Sequence, residues 1–125
     1  MSNNTVVRRR VVVTFDKEGI HCYPAAGTEP NLADVSFLQY PHRHIFKFRV
    51  EVSVTHDDRD IEFIQLKRKC LSFFDNGVID VNSKSCEMLC DDLYNKLIEV
   101  YPSRDFKICC YEDGENGAEV EYLIQ

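Results

Sequence analysis

Hydrophobic and polar residues alternate along the 125-residue chain with two different periods, one suited to strands and one to helices. Residues 6–15 (VVRRRVVVTF) read as a strand with Val11, Val13 and Phe15 on one face. Residues 24–36 hold Pro24, Pro30, a glycine and small residues, which predicts a loop. From His42 to Thr55 the alternation is clearest. Phe46, Phe48, Val50, Val52 and Val54 interleave with Lys47, Arg49, Glu51 and Ser53, the pattern of an antiparallel strand with one buried and one wet face. THDDRD (55–60) then reads as a turn, with Asp60 capping a helix in which Phe63, Leu66, Cys70, Phe73 and Phe74 recur at helical spacing. Asp75-Asn76-Gly77 stops that helix. Ser85 is the predicted N-cap of a second helix, whose apolar stripe is Cys86, Leu89, Cys90, Leu93 and Leu97 and which Tyr101-Pro102 ends. Phe106 to Glu112 reads as a strand with Phe106, Ile108 and Cys110 on one face. Residues 113–117 carry hairpin chemistry, and Ala118 to Ile124 reads as a last strand with Val120, Tyr122 and Ile124 facing inward.

The order β-β-α-α-β-β predicts a single α+β domain over residues 1–125: a four-stranded antiparallel sheet with both helices on one face. The opposite face must then be wet or be covered by another subunit. At 44% hydrophobic and 29% charged residues the composition is ordinary for a globular chain that buries a core. A net charge of −6 argues against a nucleic-acid backbone as partner, while leaving room for a small anionic ligand near local arginines. No run of about 18 apolar residues exists, so no membrane span is expected. The N-terminal stretch MSNNTVVRRR lacks the apolar core of a secretory leader. A cytoplasmic protein with six reduced cysteines follows. Cys86, Cys90 and Cys110 lie on predicted apolar faces, and no CxxC pair offers a zinc knuckle.

Three groups of residues could carry chemistry. His42 and His44 form an H-x-H pair on one strand face, about 7 Å apart along the strand, and the hairpin places His21 opposite them. Three imidazoles with an open fourth position are the layout of a ligand-binding or catalytic zinc; the alternative is surface or hydrogen-bonded histidines. The run His56-Asp57-Asp58-Arg59-Asp60 with Glu62 has the carboxylates of a divalent-cation site but not the spacing of a calcium loop, and reads as a solvated turn. Glu112 is in phase with Phe106, Ile108 and Cys110. A carboxylate on an apolar strand face needs a partner, and two adjacent N–H donors of a 2-amino-pyrimidinone edge would serve; otherwise the strand frays and Glu112 meets water.

In this layout HRHIFKFRVEV resembles the HGHNY-type strand of the 6-pyruvoyl-tetrahydropterin synthase and 6-carboxytetrahydropterin synthase family. IEFIQLK is similar to that family's first helix start, KSCEML to its PT-x-EN second helix start, and CYEDGENGAEVEY to its final hairpin. The resemblance runs from about His21 to Tyr122. It implies a T-fold whose subunits assemble sheet to sheet into a barrel, a trimer or hexamer, with zinc held by His21, His42 and His44 and a pterin or purine-like ring anchored by Glu112. Four departures bear on activity. Leu38 stands where the family has its catalytic cysteine, NGVIDVNSK lacks the relay histidine, Arg43 replaces the glycine between the two histidines, and Met88 replaces an asparagine. The groups that would move protons in the family's lyase reaction are thus missing. The readings that follow are a zinc-dependent lyase-like enzyme with altered groups, a non-catalytic protein that binds or sequesters a nucleotide (as would suit a phage or prophage, with Arg43, Lys47 and Arg49 meeting phosphates), and a plain structural oligomer.

Overall fold

The two longest strands, β1 (Arg9–His21) and β2 (His42–Val54), pair antiparallel over their whole length, from Arg9 opposite Val54 to His21 opposite His42. The computed structural model describes residues 4–125; Met1 to Asn3, the start of the stretch read above as lacking a leader, lie outside the described residues. Directly paired residues share a face. Val13 and Phe15 of β1 therefore meet Val50 and Phe48 of β2 on one side, and all four are buried. β1 continues past Phe15, where the apolar alternation ends. Lys17 and Gly19 occupy the inner positions there, the first sending its ammonium to the Asp75 carbonyl oxygen at 2.8 Å. Backbone pairing with β2, rather than side-chain hydrophobicity, carries the strand on to His21.

β4 (Phe106–Glu112) runs antiparallel to β2, with Phe46 opposite Glu112 and Phe48 opposite Cys110, and β5 (Asn116–Tyr122) completes the hairpin with β4. A further strand, β3 (Ile79–Asn82), adds parallel to the end of β1 through Gly19 and Ile20. The sheet order is β3-β1-β2-β4-β5. The expected four-stranded antiparallel sheet is thus a five-stranded mixed one, open rather than closed into a barrel. Ile79 and Val81 alternate with Asp80 and Asn82 for only four residues, too short a run to show periodicity, and the strand's backbone pairs with the outer edge of β1.

Helices α1 (Phe63–Ser72) and α2 (Cys86–Val100) cover one face. Leu66 and Cys70 from α1 and Leu89, Cys90, Leu93 and Leu97 from α2 pack with Phe46, Phe48, Val50, Phe106, Ile108 and Cys110 in one core. The N-cap of α1 is Glu62, not Asp60: its carboxylate accepts from the backbone N–H groups of Ile64 and Gln65 at 2.8 and 3.0 Å. Asp60 instead accepts from Arg104 at 2.6 and 3.2 Å and from the Thr55 backbone at 2.7 Å. Ser85 caps α2 as expected, accepting from Met88 N–H. The predicted loop contains 3-10 turns at Pro24–Gly27 and Pro30–Gln39. β5 begins at Asn116 and ends at Tyr122, so Ile124 lies beyond it and is exposed rather than inward-facing. All six cysteines are free thiols. No helix among the described residues is long and apolar enough to cross a membrane.

Candidate metal centre

The β1–β2 register determines the centre. His21 is the last residue of β1 and lies directly across from His42, the first of β2; His44, one pleat further on, shares their face. The ring centroids are 4.4 Å apart for His21–His42, 5.1 Å for His21–His44 and 4.9 Å for His42–His44. One nitrogen from each ring lies within 4.8 Å of the other two, so the three could hold a metal ion. Phe46 floors the group, edge to face with His21 at 5.3 Å and with His44 at 6.0 Å. Gly19, paired with His44, makes that floor possible: a Cβ there would come within 2.9 Å of both the Phe46 ring and Val81.

Hydrogen bonds orient two of the imidazoles. His42 Nδ1 lies 2.8 Å from the Tyr40 carbonyl oxygen, and His44 Nδ1 lies 2.6 Å from Asp113 Oδ2. Both partners only accept, so each Nδ1 carries the proton and each Nε2 keeps a lone pair for a ligand. Asp113 is well held. It sits just past β4 at φ 57°, a left-handed conformation that aspartate tolerates, and its Oδ1 accepts from Ile45 N–H at 2.8 Å. That backbone donor, and then the His44 N–H, hold the Asp113 carboxyl below its ordinary range. A carboxylate behind a histidine fixes ring orientation and raises ligand basicity.

His21 differs. Its Nε2 is buried without a hydrogen-bond partner. Glu112 Oε2 stands only 2.9 Å away, yet out of line for a hydrogen bond, so proximity alone does not satisfy the nitrogen. Burial pushes the His21 imidazolium pKa down, against the opposing pull of Glu112 and with help from His42 and His44. A neutral imidazole is the form that binds metal. A buried, unpartnered nitrogen beside two oriented lone pairs fits a cation. Nitrogen donors of this kind suit zinc, copper or nickel.

The centre opens into a cavity of about 520 Å³ lined by His21, His42, Glu112, Leu38, Tyr23 and Cys86, among others. Glu112 lines the cavity wall and approaches His21 and His44, while the group whose donor atoms all lie within 4.8 Å of one another is the three histidines alone. Arg43 does not join them. It has the opposite parity on β2, projects from the other face and pairs with Glu18 at 2.8 Å. The acidic turn does not gather either: Asp58 pairs with its neighbour Arg59, and Asp60 with Arg104. Asp113 and Cys86 are the residues that sequence reasoning missed. Asp113 carried only a turn signal. Cys86 read as core, but it is the first residue of α2 and half-buried at the cavity wall, where a hydrogen bond from Cys110 lowers its thiol pKa. No protein-family model matches the chain, and no curated protein matches it.

Proposed function

We propose that the chain is a divergent T-fold protein of the pterin-synthase type that binds zinc through His21, His42 and His44 and takes a pterin- or guanine-like ring into the adjoining cavity. The observation that carries this reading is the convergence of three nitrogen donors, two with Nε2 left free by their hydrogen bonds and one buried without a partner, beside the Glu112 carboxylate. Bound there, zinc would supply Lewis acidity toward a ligand oxygen. The protein would do the rest: Asp113 and the Tyr40 carbonyl hold two rings in place, and Glu112 offers a carboxylate to paired N–H donors on the ring edge. Leu38 reaches the cavity where the family places a nucleophilic cysteine, and the Ile79–Asn82 segment forms β3 with no histidine to relay protons. Binding without the family's lyase reaction is therefore the favoured form of the proposal; turnover by altered groups is the second. Assembly of the open sheets into a trimer or hexamer belongs to the same proposal. It is supported by the free edge of β5 and by exposed Ile20 and Ile45 on the face away from the helices.

Native mass spectrometry tests all parts together. The expected spectrum shows one zinc per chain, a symmetric oligomer, and a ring ligand released unmodified on heating. A protein that takes up no divalent metal in its native state, and none from added zinc, would refute the reading. Product formation from dihydroneopterin triphosphate would favour the second form over the first.

A further inference from the structure

The position of Glu112 is unusual for a residue that serves only as a ring anchor. Its Oε2 lies 2.9 Å from His21 Nε2 and 3.7 Å from His44 Nε2. Around a tetrahedral zinc with bonds of about 2.0–2.2 Å, neighbouring donors stand roughly 3.3–3.5 Å apart. The separations from His21 and His44 bracket that spacing, while the set whose donors all lie within 4.8 Å of one another is the three histidines alone. The 2.9 Å approach is also not a hydrogen bond, because His21 Nε2 has no partner in the geometry it adopts. A buried nitrogen and a carboxylate oxygen held this close without a shared proton are both satisfied by a cation between them. The register delivers this arrangement: Glu112 is opposite Phe46 on β4, and Phe46 lies one pleat from His44 on β2, so the carboxylate shares the histidines' face.

We propose that Glu112 is a fourth protein donor to the metal, closing the coordination sphere while the cavity is empty. The inference rests on the metal reading above and extends it. With three neutral imidazoles and one carboxylate the centre is shut to small ligands, as structural sites are, and a ring that captures Glu112 through its N–H donors would draw the carboxylate away and open the fourth position. Ring binding and opening of the centre would then be one event, governed by a single residue.

Cobalt(II) reports this directly, since its visible spectrum changes when an external ligand enters the coordination sphere. Wild-type protein loaded with cobalt(II) should show no spectral change on addition of azide. Glu112→Gln should bind cobalt at least tenfold more weakly and should respond to azide. Glu112→Asp separates ligation from charge: it keeps the negative charge but is one methylene too short, so it should also admit azide. The proposal is overturned if azide perturbs the wild-type spectrum as much as that of the variants, or if Glu112→Asp excludes azide and retains wild-type affinity. Failure of the wild-type chain to bind cobalt or zinc at all would instead overturn the metal reading itself. Circular dichroism of each variant verifies that the fold is retained, and the wild-type azide result stands without them.

Discussion

Replacing Gly19 with alanine sets two effects of opposite sign against each other, and the structure decides between them. An added methyl lowers the backbone entropy of the unfolded chain, which on its own would stabilise the protein by about 0.4–1 kcal/mol. The same methyl would sit 2.9 Å from Phe46 Cε2, 2.9 Å from Val81 Cγ2 and 3.0 Å from Phe46 Cδ2. Ordinary carbon contacts lie at about 3.5–4.0 Å, so the neighbours must retreat by roughly 0.5–1 Å. Phe46 is 0% exposed and Val81 2%, and the Phe46 ring is wedged beneath His21 and His44. Neither neighbour is the free end of a flexible side chain. Overpacking of this kind costs about 1–3 kcal/mol. The net expectation is a loss of about 1–2 kcal/mol, which for a domain of this size lowers the thermal midpoint by roughly 4–8 °C. Because the retreating ring is the floor of the histidine group, zinc affinity should fall along with stability. Thermal unfolding of metal-free protein by circular dichroism, paired with a zinc titration against a chromophoric chelator, measures both. An unchanged or raised midpoint would refute the reasoning, since it would mean that Phe46 has room to move and that backbone entropy dominates.

Asp113→Asn should weaken zinc binding about 10–100-fold with little change in the metal-free midpoint, because asparagine tolerates the same left-handed backbone but can donate to His44 Nδ1 and drive its proton onto Nε2; equal affinity in a chelator competition would show that His44 does not ligate through Nε2. Asp60 has its carboxyl pKa held well below the ordinary 3.8 by Arg104 and then by the Thr55 backbone N–H. Its contribution is therefore complete above that ordinary value and lost as the pH falls below it, so the urea midpoints of wild type and Asp60→Asn should differ near neutrality and converge below about pH 4. A gap that persists undiminished to about pH 2 would contradict this. Cys86 should react with limiting iodoacetamide before Cys70 and Cys90, since those two are buried with pKa values pushed up to about 12 while Cys86 is half-buried with its pKa lowered. Peptide mapping that finds Cys70 or Cys90 labelled first would mean the core opens more readily than its packing implies.

The sequence by itself determined the parts of this protein that repeat. The alternation from Phe46 to Val52 marked the central strand and its buried face, and the α2 stripe with its Ser85 cap marked a helix, because a long periodic run fits only one local geometry. It also put His42 and His44 on one face, since parity along a strand needs no tertiary information. Other features were decided only by the tertiary structure. β3 is four residues long and exists because β1 offers it an edge; the end of β1 is held by pairing with β2 although its own inner residues are Lys17 and Gly19. Asp60 serves as an ion-pair partner rather than a cap because Arg104, 44 residues away in the chain, reaches it through the fold. At the centre, the sequence grouped the three imidazoles across the first hairpin and named the Glu112 carboxylate as a separate candidate. Their meeting, the support of His44 by Asp113 across 69 residues of chain, and the turning of Arg43 to the opposite face all come from strand register. Register is set by how two strands pair, and no single strand's pattern contains it.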